Sequence, residues 1–181
     1  MRILLLLVSL LIATVADGGE ALLKGLVLPD HLGRSHDLEK EAPDHLLLLF
    51  SIACRVDAKA WDDGVSPHLP VGKLLMRIMD LGDVSAEDRP RVLERVSKAL
   101  ADTSVLFVMD WDGAVRKRLG GSADQALVVA FDGQGAELGR VSGLPSAKNR
   151  MAALAYVRIV PNPPLVDVVI PNSKTDPRPA P

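Results

Sequence analysis

Leu46-Leu47-Leu48-Leu49-Phe50-Ser51-Ile52-Ala53-Cys54-Arg55-Val56-Asp57 is the stretch on which the fold turns. Five consecutive large apolar residues after His45 leave no polar face. Such a run suits a strand buried on both sides, as in the middle of a parallel sheet. The residues that follow change character, and Ala53–Asp63 reads as a helix. A buried strand passing directly into a helix is the first half of a βαβ crossover. Downstream, Leu74-Leu75-Met76-Arg77-Ile78-Met79 lies within a second buried strand over Lys73–Leu81, after a loop of Gly64–Gly72 containing Pro67 and Pro70.

The alternation continues. Ser85-Ala86-Glu87-Asp88 is expected to open a helix, with Ser85 as N-cap and Pro90 in the first turn. Val92, Leu93, Val96 and Leu100 then share one face at helical spacing. Ser104–Met109 is a third strand, Asp110-Trp111-Asp112-Gly113 a turn, and Ala114–Leu119 a short helix ended by Gly120-Gly121. Ala126–Phe131 and Ala136–Val141 pair as a hairpin around Asp132-Gly133-Gln134-Gly135, and Pro145–Val157 closes the domain as a helix. Upstream, Gly25–Leu38 reads as a hairpin or turn around Pro29-Asp30-His31-Leu32-Gly33. These elements predict an α/β fold with a central mixed sheet flanked by helices.

Three segments divide the 181 residues. Arg2 and the apolar run Ile3–Ala16, with small residues before Asp17-Gly18-Gly19, read as a signal peptide, residues 1–16. The run is shorter than the ~20 residues a spanning helix needs. Export to the periplasm or medium is expected, with an uncleaved anchor as the alternative; after cleavage no stable membrane insertion is expected. No cysteine follows the run, which argues against a lipid anchor. Residues 17–160 form the domain. Residues 161–181 hold seven of the thirteen prolines and read as a disordered tail. The formal charge of −2, without a basic block, argues against nucleic acid as a partner.

Cys54 is the single cysteine, so no disulfide forms within one chain. It reads as a buried structural thiol, a reactive thiol, or half of a disulfide-linked dimer. His31, His36, His45 and His68 lack zinc-site spacing. Asp110-Trp111-Asp112-Gly113 lacks the later acidic ligands of a calcium loop. Gly120-Gly121-Ser122 lacks the lysine of a phosphate loop, and no Gly-x-Ser-x-Gly elbow occurs. No motif asks for a cofactor or a metal. Arg116-Lys117-Arg118 reads as a solvated basic face. Trp61, two helical turns beyond Cys54, is expected on the same helix face.

The order of elements, the strand leading to Cys54, the Phe107–Gly113 strand and turn, and the Leu127–Gly135 hairpin followed by Gly143 resemble the thioredoxin-like redoxins, the group containing thiol oxidoreductases and peroxiredoxins. The resemblance covers Gly25–Val157. It implies a thioredoxin-like fold with an N-terminal hairpin extension, and a thiol at a helix start, where dipole and free N–H groups favour the anion. The dithiol members carry a second cysteine where this chain has Asp57, so a cycle within one molecule is ruled out. Their cis-proline position falls on Ala126, which implies a trans bond here. Of the peroxiredoxin motif, Cys54 and Ser51 match; Leu47 stands at the proline position and no arginine matches.

Two functions follow from the resemblance. In the first, Cys54 is the catalytic group of a monothiol redox protein, with a protein thiol or disulfide as partner. Ser51 then hydrogen-bonds the sulfur, Arg55 favours its anion, and Asp57 opposes the anion unless it accepts a proton. In the second, catalysis is lost and the surface near Cys54 and Ala126 holds a peptide or protein.

Overall fold

The computed structural model describes residues 22–101, 103 and 105–159. The expected signal peptide and proline-rich tail lie outside the described residues. Seven strands and five helices are present among them: β1 (Val27–Pro29), β2 (Ser35–Asp37), α1 (Leu38–Glu41), β3 (Leu46–Ser51), α2 (Arg55–Val65), β4 (Leu75–Asp80), α3 (Arg89–Leu100), β5 (Phe107–Asp110), α4 (Ala114–Leu119), β6 (Leu127–Phe131), β7 (Glu137–Ser142) and α5 (Ala147–Ile159). A single 3-10 turn, Ser66–His68, interrupts the expected loop after α2.

β3 is the centre of a five-stranded sheet of order β5-β4-β3-β6-β7. It runs parallel to β4 with Ser51 beside Asp80, and antiparallel to β6 with Leu46 beside Ala130. Successive strand side chains point to opposite faces. Leu46, Leu48 and Phe50 therefore enter one core with Trp61 of α2 and Ala153, Leu154 and Val157 of α5. Leu47 and Leu49 enter the other with Leu38 and with Val115 and Leu119 of α4. Two-sided burial is why this strand has no alternation.

The N-terminal hairpin β1–β2 protects the edge of the sheet. Asp30 bridges Val108 of β5, and the His31 N–H donates to the Phe107 carbonyl at 3.1 Å. An unpaired β5 edge would otherwise offer its backbone groups to another strand. Asp30 also holds the hairpin turn together. Its buried carboxylate accepts from the Leu32 and Arg34 N–H groups, from Arg34 Nε at 2.7 Å, and bonds His36 Nε2 at 3.2 Å. Burial pushes Asp30 upward, but these bonds outweigh it and leave the group well below the ordinary carboxylate range. His36 is partly desolvated, which lowers it. Its bonds to Glu41 and Asp30 outweigh that and raise it above 6.5.

One helix differs from expectation. α3 starts at Arg89, not at Ser85. Ser85 spends its hydroxyl on a preceding turn: Ser85 Oγ accepts from the Asp88 N–H and donates to the Asp88 carboxylate. Pro90 does occupy the first helical turn, where its missing N–H costs little. None of the residues of α3 is buried, so the apolar face read from Val92, Leu93, Val96 and Leu100 is not packed into the core. Among the described residues, no helix is long and apolar enough to cross a membrane.

Replacing Asp30 with Ala should cost about 2–3 kcal/mol, because charged hydrogen bonds are lost and backbone donors are orphaned. Urea unfolding measures this. The His36 pairs, whose folded value is raised, contribute stability that is full below pH 6.5 and lost as pH rises through the folded value. That pH dependence should shrink in the same variant.

Candidate functional site

Ligands of open α/β sheets gather beyond the carboxyl ends of parallel strands, where neighbouring connections diverge. Here that point is the end of β3, since β4 leaves on one side and β6 lies on the other. Ser51 ends β3 and Cys54 is the N-cap of α2. The turn between them closes through the Cys54 N–H on the Ser51 carbonyl, 3.1 Å, and the helix begins with the Ala58 N–H on the Cys54 carbonyl, 2.9 Å. Trp61 fixes the helix against the far edge of the domain: its indole N–H donates to the Gly143 carbonyl at 2.9 Å, and the Gly143 N–H donates to the Ala126 carbonyl. Trp61 and Cys54 belong to the same buried cluster.

The thiol is 4% exposed. Its nearest polar neighbour is the Ala123 carbonyl, to which Cys54 Sγ donates at 3.5 Å. Ser51 Oγ donates to the same carbonyl at 2.6 Å and stands 3.7 Å from the sulfur. A carbonyl oxygen is a partner for S–H, not for S⁻. Arg55 turns away, placing Nη1 on the Ile52 carbonyl at 3.3 Å in solvent. The Asp57 side chain makes no hydrogen bond or ion pair with any described residue; it sits in the first turn of α2, where the helix dipole favours an acid. Ala126 is buried, and no cis peptide bond occurs among the described residues.

Comparison with solved structures identifies the fold. The exposed lipoprotein thioredoxin Etrx1 of Streptococcus pneumoniae superposes with a TM-score of 0.55 at 13% identity, covering 72% of this chain and 97% of that one. This is a thioredoxin-like fold. A secreted disulfide oxidoreductase of Mycobacterium tuberculosis, homologous to Escherichia coli DsbE, matches at 15% identity and TM-score 0.50, covering 79% of this chain and 98% of that one. A DsbE-type thiol:disulfide interchange protein, so described provisionally, from Chlorobium tepidum matches at 17% and 0.51, covering 73% and 92%. No family model matches the chain. No curated protein matches it significantly.

Next to the thiol of this thioredoxin-like domain lies a cleft of about 400 Å³, lined by Ser51, Ile52, Asp80, Asp83, Ala123 and Asp124. Asp80 is a residue the sequence reading missed. It closes β4 as Ser51 closes β3 and Asp110 closes β5, and an acid ending an apolar strand was the available signal. Asp110 is wholly structural: its two oxygens accept from the Ala114 and Val115 N–H groups, each at 2.9 Å, and cap α4. Asp80 bonds the Gly82 N–H at 3.0 Å and pairs with Arg116 Nη1 at 2.9 Å. A Cβ at Gly82 would stand 3.0 Å from the Gly113 backbone, so a larger residue there would crowd that turn. Burial raises the Asp80 carboxyl, and the Gly82 and Arg116 contacts do not cancel this beside the Asp110 and Asp83 charges.

A larger cavity, about 580 Å³, lies at the opposite end of the strands and is lined by His36, Lys40, Lys73 and Arg77. Each cation there has its own acid: Glu41, Asp37, Asp44 and Asp62 respectively. The four histidines do not converge, and no metal-ligating group of three or more occurs among the described residues.

A raised carboxyl binds its proton more tightly in the folded chain, so ionised Asp80 costs stability above pH 3.8, the cost growing until pH passes the folded value. Asp80→Asn should therefore raise the Tm at pH 7, and the gain should vanish near pH 3. Thermal unfolding across that range checks it; a lower Tm at pH 7 would show that the Arg116 pair outweighs the desolvation.

Proposed function

We propose that this chain is an exported thioredoxin-fold binding protein for a protein or peptide partner, with the redox cycle of its fold lost. The observation that carries the reading is the state of Cys54: buried, donating to the Ala123 carbonyl, and approached by neither Arg55 nor Asp57. A reactive thiol needs exposure and a cation or free N–H groups directed at the sulfur. The docking surface is the end of β3. Ile52 and Val56 are exposed there, Val56 at 71%, beside the acidic cleft of Asp80, Asp83 and Asp124. An apolar segment carrying a basic residue suits that surface. Export rests on Arg2 and the Ile3–Ala16 run, and two of the similar structures are of an exposed lipoprotein and a secreted protein.

A second reading has one specific observation in its favour. Ser51 Oγ is 3.7 Å from Sγ, and Cys54 keeps the helix N-cap position. Movement of the Ala123 segment would leave the hydroxyl and the helix start facing the sulfur. The chain would then act as a monothiol redox protein, its resolving thiol supplied by a partner.

Alkylation of Cys54 as a function of pH separates the two. The binding reading expects no reaction with iodoacetamide until the protein unfolds. Full native reactivity with a midpoint well below the free-thiol value of about 8.5 would overturn it in favour of the monothiol. Cys54→Ser should leave partner capture intact, at a stability cost of about 1 kcal/mol for one buried polar exchange. Mass measurement of the exported protein should place its first residue at Asp17.

A further inference from the structure

α3 is amphipathic, yet it leaves a gap where a core helix would pack. Its apolar side chains Val92, Val96, Ala99 and Leu100 face Ile52, Met79 and Phe107 across a groove of about 500 Å³. That volume lies within the usual small-molecule range of roughly 300–1,000 Å³. Polar contacts prop the helix over the gap. Ser97 Oγ donates to the His31 carbonyl at 3.0 Å, Arg89 Nη2 donates to the Trp111 carbonyl at 3.1 Å, and the Arg89 guanidinium stacks on the Trp111 ring. The floor is firm, since Phe107 packs edge-on against Phe50 of β3.

Among the described residues of the lining, Arg55 and Arg95 are the only charged side chains and no acid joins them. The Arg95 side chain makes no hydrogen bond or ion pair with any described residue. A groove of seven apolar residues, with a guanidinium that has no partner among the described residues, is complementary to an alkyl chain ending in an anion. A peptide strand fits it poorly. The Phe107 carbonyl and N–H already serve His31, so a buried peptide backbone would find few partners and desolvation would disfavour it. A membrane surface fits no better, because the apolar side of α3 faces the sheet while Arg91, Glu94 and Lys98 face solvent.

We propose that the groove beneath α3 binds a single-chain fatty acid, its alkyl chain against Val92, Val96, Leu100, Met79 and Phe107 and its carboxylate on Arg95 and Arg55. Cys54 is not part of the lining, although the groove shares Ile52 with the docking surface at the end of β3. Binding would close the gap and give α3 the apolar packing it lacks.

The test is calorimetric titration of the full chain with dodecanoate below its micelle concentration, beside dodecan-1-ol as the uncharged counterpart. Dodecanoate should bind saturably with one site per chain, at least tenfold more tightly than the alcohol, and should raise the Tm. Arg95→Glu, at an exposed position, should weaken binding at least tenfold with the ligand-free Tm unchanged. Val96→Asp should remove binding and the ligand-induced rise in Tm together. Absence of saturable binding to the full chain would overturn the proposal, as would equal affinity in the Arg95→Glu chain. Binding to phosphatidylglycerol vesicles without binding to monomeric dodecanoate would also overturn it and assign the helix to a membrane surface. If Val96→Asp fails to fold, Arg95→Glu and the alcohol comparison decide the matter.

Discussion

Burial of β3 on both faces is the constraint from which the remaining architecture follows. A strand with Leu46, Leu48 and Phe50 on one side and Leu47 and Leu49 on the other needs a covering layer on each. α2 and α5 supply the first, and α4 with the N-terminal hairpin supplies the second. The same requirement puts β3 in the middle of the sheet, between a parallel and an antiparallel neighbour. Its carboxyl end is consequently where the chain must turn into α2, and Cys54 stands at that turn. The thiol's position is thus a consequence of core formation before it is a matter of chemistry.

Three strands end side by side at this point, and their terminal polar residues have different physical histories. Asp110 is fully paid by two backbone N–H groups at the start of α4. Ser51 is satisfied by the Ala123 carbonyl. Asp80, between them in register, is partnered by Arg116 yet still held above its ordinary carboxyl value by burial. Burial of one carboxylate at the open end of the sheet works against its ionisation, and the Arg116 pair and the Gly82 N–H only partly offset this.

The local parts of this fold were legible because each depends on neighbours in sequence. The Leu46–Phe50 run announces a buried strand, Asp132-Gly133-Gln134-Gly135 announces a hairpin, and Gly120 ends α4 with φ +70°. Where the deciding partner is remote the sequence left the outcome open, with a buried structural thiol as one of three readings of Cys54. The Ala123 carbonyl that meets Cys54 lies 69 residues away, so no local pattern reveals that the sulfur is covered. Ser85 carries a valid capping signal, but Asp88 lies close enough to capture it for a turn, and the helix begins four residues later. The spacing of Val92, Val96 and Leu100 correctly marks an apolar face, yet periodicity records only that a face exists and not that anything fills it. α1 was missed because its four residues are too few to show a period.

The structural similarities sharpen what the single cysteine means. Identities of 13–17% coexist with superposition over most of each neighbour, so what is shared is layer burial and strand order. Those demands fix an apolar or small side chain at the start of α2, because that position joins the cluster containing Trp61 and Ala126. Cysteine satisfies the packing as a small apolar residue with a weak donor. Redox chemistry within one chain adds a second requirement, a partner thiol one helical turn on, and Asp57 does not meet it. The geometric demand is therefore fulfilled while the chemical one is not. A residue kept by packing alone would be bonded as Cys54 is, with its hydrogen on a main-chain oxygen and no charge directed at it.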